Sequence, residues 1–269
     1  MADVRFLADE IADRLVDRLD DLNRSFDLAA DLSPVAGPVH ERLAAHPKIG
    51  RVVSLAEVGD RRQVTASLDV LPLAAEAVDC LLCLGGLHWI DDLPGTLIQM
   101  RRCLKPDGLL LAAMAGGNTL AELAECLVDA ELAVTGGARP RVAPFTDIRD
   151  LGQLLQRAGL ALPVVDLERL EVSYPGPLDL MGELRLMGEA NGLIERSASG
   201  LRRDVLAAAM ALYSERHART DGRIVATFEI LMVTAWAPAE GQQRPARRGS
   251  GDVSLARFFD PASEPDRKT

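Results

Sequence analysis

The sequence predicts an α/β fold with a mostly parallel sheet, and three observations carry that prediction. Short, nearly unbroken apolar runs such as residues 78–84 (VDCLLCL) and 109–114 (LLLAAM) read as strands buried on both faces. Between them, Leu93, Leu97, Met100 and Leu104 recur at spacings of four, three and four, which marks one face of a helix. The last apolar run, residues 224–236 (IVATFEILMVTAW), follows a helical insertion, and that ending suggests an antiparallel strand added to parallel ones.

The central stretch, residues 78–117, reads as strand, loop, helix, turn and strand. Asp91 and Asp92 precede the helix, where a carboxylate can accept from free backbone N–H groups. Lys105-Pro106-Asp107-Gly108 is expected to stop the helix and turn the chain. Such a unit crosses over right-handed, and its ligands lie beyond the carboxyl ends of the strands. The loops at residues 85–89 and 115–119 are therefore the candidate functional ones.

The remaining elements follow in order. Residues 4–22 read as an amphipathic helix, packed on the sheet or closing over a ligand. Residues 26–32 (FDLAADL) form a first strand, and a Ser-Pro-Val-Ala-Gly-Pro turn leads to a short helix ending near Ala45. A strand, a turn and a helix N-terminus can cradle an anion or a cofactor. Residues 50–56 are a second strand and VTAS, from Val64, a weak third, with little room between them for a crossover helix. Helices follow after Asn118 and Thr119 and over residues 147–159, then a strand over 164–172 and a helical insertion over 175–219.

Composition limits the function. The 269 residues are 48% hydrophobic, enough for one large α/β domain with insertions. A net charge of −10 argues against a nucleic-acid partner. No apolar run is long enough for a membrane span, and the first twenty residues are too charged for a signal peptide. Cys80, Cys83, Cys103 and Cys126 fall in apolar-periodic segments and read as core groups, which suits a reducing cytoplasm. His40, His46 and His217 read as surface residues without partners at metal spacing, so no metal site is expected.

The element order resembles the class I S-adenosylmethionine (SAM) dependent methyltransferase fold, a Rossmann-like sheet. Four segments go further: LHWIDDLPGTLIQMRRCLKPDGLLLAAMAGGNTLAEL, RVAPFTDIRDLGQLLQRAGLALPVVD, MGEAN and ATFEILMVTAW. Together they resemble the methyltransferase-fold assembly factors of respiratory complex I and their bacterial relatives, over about residues 10–238. The mitochondrial member of that family is assigned hydroxylation of an arginine on a complex I subunit. The LHW-x-DDLP segment alone is also similar to the biotin-pathway carrier-protein methyltransferase. The resemblance implies an N-terminal helix over residues 1–25, a methyltransferase-like domain over 26–238 and a disordered tail over 239–269. It also implies SAM as cofactor and a protein substrate, which points to a complex I subunit.

The cofactor loops depart from the fold's pattern. The first strand of such domains ends Asp-x-Gly-x-Gly-x-Gly, and here Asp31 and Gly37 remain while Ser33 and Val35 replace two glycines and Pro34 stands between them. Glycine allows close backbone approach and positive φ, which a β-branched residue disfavours, and proline removes a donor. Ala56 stands at the usual ribose-binding acid, with Glu57 beside it, and Asp69 is the remaining acid of the adenine loop. The implied cofactor-binding set is Asp31, Ser33, Gly37, Glu57, Asp69, Leu84 and Gly85. His88, Trp89 and Asn118 are the candidate catalytic residues, with ring packing and helix capping as their structural alternatives. Arg139, Arg141 and the acids Glu183, Glu189 and Glu195 are candidates for holding a protein, or else solvated faces. Two functions remain open: a SAM-binding enzyme that methylates or hydroxylates a protein side chain, and a non-catalytic assembly or binding module with a degenerate SAM site.

Overall fold

The computed structural model describes residues 5–34, 37–56, 64–190 and 200–243. In chain order its elements are α1 (Phe6–Asp17), β1 (Phe26–Asp31), α2 (Pro38–Ala45), β2 (Ile49–Ala56), β3 (Val64–Thr65), β4 (Val78–Leu84) and α3 (Leu93–Cys103). β5 (Leu104–Ala115), α4 (Ala121–Thr135), α5 (Ile148–Arg157), β6 (Ala161–Tyr174), α6 (Pro177–Met187), α7 (Arg203–His217) and β7 (Ile224–Trp236) follow. A 3₁₀ turn, Leu87–Trp89, lies between β4 and α3. The chain divides into a compact unit, Met1–Pro238, and a second unit, Ala239–Thr269.

The seven strands form one sheet in the order β3-β2-β1-β4-β5-β7-β6. β1 to β5 pair parallel with one another, and β7 runs antiparallel to both β5 and β6. The expected mostly parallel sheet with a reversed last strand is present. Because β1 and β4 are adjacent, the strand order reverses between them. That reversal opens a crevice where their carboxyl ends part.

Each face of the sheet carries its own core. α1, α2, α4, α6 and α7 pack on one side, and α3 and α5 on the other. The alternation of β4 sends Cys80 to the first core and Cys83 to the second, both fully inaccessible. Burial pushes all four thiols up, that of Cys126 to about 11, so they stay protonated as small core groups.

Several element ends differ from the sequence expectation. The first helix stops at Asp17 instead of running to Leu22. Lys48 Nζ donates to the carbonyls of Leu19, Asp20 and Leu22 at 2.8, 2.8 and 2.7 Å, which holds that stretch as a turn. Lys105-Pro106-Asp107-Gly108 is part of β5, not a break before it. Asp107 takes φ +61°, and β7's end supplies the missing partners: Asp107 N–H donates to Ala237 O and Ala237 N–H to Gly108 O. β6 extends from Ala161 to Tyr174 because β7 offers a pairing partner along its whole length. His40, His46 and His217 are half-buried rather than surface residues. His40 Nδ1 lies 2.7 Å from Ser54 Oγ, His46 Nε2 lies 3.3 Å from Asp20 Oδ1, and His217 packs edge-on to Tyr213. The short connection after β2, with Glu57, lies outside the described residues, as do Val35, Glu195 and the tail beyond residue 243.

Candidate active site

At the crevice, the two loops of the β1/β4 boundary are tied to each other. The Asp31 carboxylate, 1% exposed, accepts Ser33 N–H at 2.9 Å, and Ser33 Oγ accepts Leu84 N–H at 3.0 Å. Burial raises the Asp31 pKa, against the opposing hydrogen bonds of Ser33 and Ser54 and the nearby His40. Pro34 closes the remaining gap: a Cβ on Gly86 (φ +79°) would stand 2.3 Å from Pro34 Cγ. Glycine is thus required at that position by both the positive φ and the proline ring. Gly37 (φ +122°) caps α2, and its carbonyl accepts Glu41 N–H.

The far side of this contact is closed. The hollow among Leu32, Pro34, Leu55, Ala66, Ser67, Leu68 and Leu71 has no room for a water molecule. Asp69 sits beside it, exposed, with its carboxylate accepting Ser67 Oγ–H at 3.1 Å. Gln99 of α3 stitches this loop down, donating to Asp69 O at 2.8 Å and accepting Leu71 N–H at 3.1 Å.

The near side is open. A cleft of about 660 Å3 lies at the carboxyl ends of β4 and β5, walled by the first turn of α1, the start of α4, the loop before α5 and the helical insertion. Leu84 and Gly85 form its floor, and nothing stands within 4 Å of a Cβ placed on Gly85 (φ +74°). N-terminal helix α1 both packs on the sheet core and lends Leu7, Ala8 and Ile11 to the cleft wall.

His88 and Trp89 enter the cleft from the 3₁₀ turn. Their ring centroids are 5.3 Å apart, and Phe145 meets His88 edge-on at 5.7 Å. Both donate to one carboxylate oxygen: Trp89 Nε1 lies 2.9 Å and His88 Nε2 3.1 Å from Glu189 Oε2. Glu189 reaches them because Gly188 ends α6 in the left-handed region (φ +85°), and Glu189 N–H then returns to Leu184 O at 2.9 Å. Arg141, also on the wall, pairs with Glu131 and holds that carboxyl below its usual range.

Asn118 is exposed and points its amide at Glu229, to which both its Nδ2 and its backbone N–H donate, at 3.0 and 3.1 Å. Thr119 Oγ1 donates to Glu229 O at 2.8 Å, and Leu120 (φ +58°) precedes the first turn of α4. Of the candidate residues, Leu84, Gly85, His88, Trp89, Arg141 and Glu189 share the cleft. Asp31 and Ser33 lie in the buried network beneath it, Asp69 stands on the closed side, and Asn118 joins Glu229. Phe145 was not singled out in the sequence. Glu189 was a candidate there only for holding a protein, and its contact with His88 and Trp89 has no local signal.

The sheet order and the cleft at its switch point define a methyltransferase-type domain. A methyltransferase domain family model matches residues 31–112, from the end of β1 into β5. The YcgJ protein of Bacillus subtilis shares the fold at 12% identity, with a TM-score of 0.55 over 84% of this chain and 99% of that one. Within that class, the arginine-hydroxylase NDUFAF5, mitochondrial, of Danio rerio is 38% identical over 262 residues, 93% of this chain and 81% of the relative. The Homo sapiens protein of that name is likewise 38% identical, over 93% of this chain and 75% of the relative. The chain belongs to the NDUFAF5 arginine-hydroxylase family.

Proposed function

We propose that this protein hydroxylates an arginine side chain of a protein substrate, bound in the cleft at the carboxyl ends of β4 and β5. The observation that carries this reading is the 38% identity over 93% of the chain to proteins named arginine-hydroxylases. A subunit of respiratory complex I is the proposed substrate, following the sequence resemblance. Hydroxylation inserts one oxygen atom into a C–H bond; with dioxygen as the oxidant, the second oxygen atom leaves as water and an external reductant supplies two electrons and two protons. The part these residues play is to bind and orient the side chain and keep water from it. The four buried, unpaired cysteines suit a reducing compartment, and a cytoplasmic location is proposed on that ground.

SAM is the cofactor the fold implies, and the described residues support a narrowed bed for its adenosyl group. The hollow on the adenine side holds no water, the Pro34 ring fills the gap at Gly86, and Asp31 and Ser33 spend their polar groups on each other and on Leu84. SAM binding is accordingly proposed to be weakened. Calorimetric titration of the native chain is expected to show no micromolar binding, and Pro34→Gly to gain about tenfold in affinity or more. Micromolar binding by the native chain overturns this point. No gain in Pro34→Gly moves the block to the Ala56 position or to the closed loop at residues 66–71.

The same closed hollow supports the second reading, a non-catalytic assembly module. The family match, which spans 93% of the chain, favours the enzyme. The deciding experiment expresses the chain in cells with and without Glu189→Gln and maps arginines in co-purifying proteins by mass spectrometry. A gain of one oxygen on a specific arginine supports hydroxylation. A gain of one methylene supports methyl transfer. An unmodified partner that stays bound supports the module.

A further inference from the structure

We infer that the Glu189 carboxylate is the receptor for the guanidinium group of the substrate, held in place by His88 and Trp89, with the Trp89 and Phe145 rings as its aromatic walls. This inference rests on the arginine reading above and assigns its recognition to particular atoms. An indole N–H can only donate, so Glu189 Oε2, 2.9 Å from Trp89 Nε1, is an acceptor there. His88 Nε2, 3.1 Å from the same oxygen, is the second donor. The His88 side chain is 5% exposed, and its Nδ1 is buried with no hydrogen-bond partner among the described residues. The ring is thus fixed by packing, and it fixes the position of Glu189 Oε2.

The surroundings narrow the ligand further. Much of the cleft is apolar, with Leu84, Leu123, Met181 and Phe228 on its walls, which suits the methylene stem of a long cationic side chain. The cleft's own cations are engaged elsewhere: Arg141 with Glu131, and Arg5 with Asp9 and Glu41 at 3.8 and 3.5 Å. Arg185 stands exposed at the rim. Glu189 is thus a carboxylate held at one oxygen by two ring N–H donors. A guanidinium is a planar fork of five donors that can reach two acceptors at once and stack on aromatic rings, whereas an ammonium is a point charge. The two oxygens of one carboxylate beside the Phe145 and Trp89 rings favour the fork.

The test uses the full chain and blocked single residues, N-acetyl-arginine methylamide and its lysine counterpart, followed by NMR. The chain has two tryptophans, so its indole N–H region holds two resonances, and Trp89→Phe assigns them. The arginine compound is expected to shift the Trp89 indole, the lysine compound to bind about tenfold more weakly, and Glu189→Gln to weaken arginine binding about tenfold. His88→Gln, which keeps a side-chain donor for Glu189, is expected to retain more affinity than His88→Phe. Unchanged arginine affinity in a folded Glu189→Gln, equal affinity for lysine, or a shift only at Trp236 overturns the assignment. Arginine binding that depends on Glu189 without modification of any co-purifying protein leaves the receptor standing and removes the enzymatic reading. Modified arginine from a Glu189→Gln protein at the native rate and KM does the reverse.

Discussion

Replacing Tyr213 by alanine is expected to destabilise the protein by about 3–5 kcal/mol, the range for emptying a buried aromatic site. Tyr213 is fully buried in α7 and is among the largest such side chains in the chain. Its hydroxyl donates to Val225 O at 2.8 Å, and its ring meets His217. It therefore fastens the helical insertion to β7 by both packing and a hydrogen bond. Tyr213→Phe keeps the packing and loses only the bond, a cost of about 1 kcal/mol. Urea denaturation of the three proteins measures both steps. Because Leu184 and Leu201 of the insertion wall the cleft, the alanine variant should also lose arginine-peptide affinity more than the phenylalanine variant does. Equal stability of Tyr213→Ala and Tyr213→Phe would show that the ring does not anchor the insertion.

Asp31→Ala is expected to cost about 2–3 kcal/mol, because it strands the buried Ser33 N–H and Ser54 hydroxyl that the carboxylate serves. Asp31→Asn is expected to behave differently, and the difference depends on pH. Burial raises the folded pKa of Asp31 above its ordinary value of 3.8. Folding then takes up a proton between the unfolded and folded pKa values. The stability carried by the protonated carboxyl is present below the unfolded value and is lost as pH rises through the folded one. A neutral amide has no such dependence. The stability of Asp31→Asn relative to the native chain should therefore rise from the acid limb towards neutrality. A difference that is flat or falls with pH would mean that hydrogen bonding outweighs burial at this carboxyl.

Asp31 also shows how a residue legible in sequence can have its role decided by the fold. The end of β1 was located by its apolar run, and its acid matches a cofactor-binding position. Its partners, Ser33 and through it Leu84, lie across the reversal of strand order and are found only by assembling the sheet. Pro34 illustrates the same point. Its identity predicts a lost backbone donor, but that its ring would abut Gly86, fifty-two residues on, follows from the loops meeting at the crevice.

Periodicity determined the elements. The pattern of Leu93, Leu97 and Met100 gave α3, Asp92 gave its cap through Gly95 N–H, and the run at residues 224–236 gave β7 to the residue. These features are local, since burial on a strand or helix face repeats with the backbone's own period. Element ends were less legible where a distant group intervenes, as Lys48 does after α1 and Ala237 does at Asp107. The sequence by itself thus determined the sheet, its class and the loops at its carboxyl ends. Only the tertiary structure decided which side of the crevice stays open and which acid faces it. The physical reason is that Glu189 meets His88 and Trp89 across a separation of about a hundred residues, and such long-range pairing leaves no periodic trace in the chain.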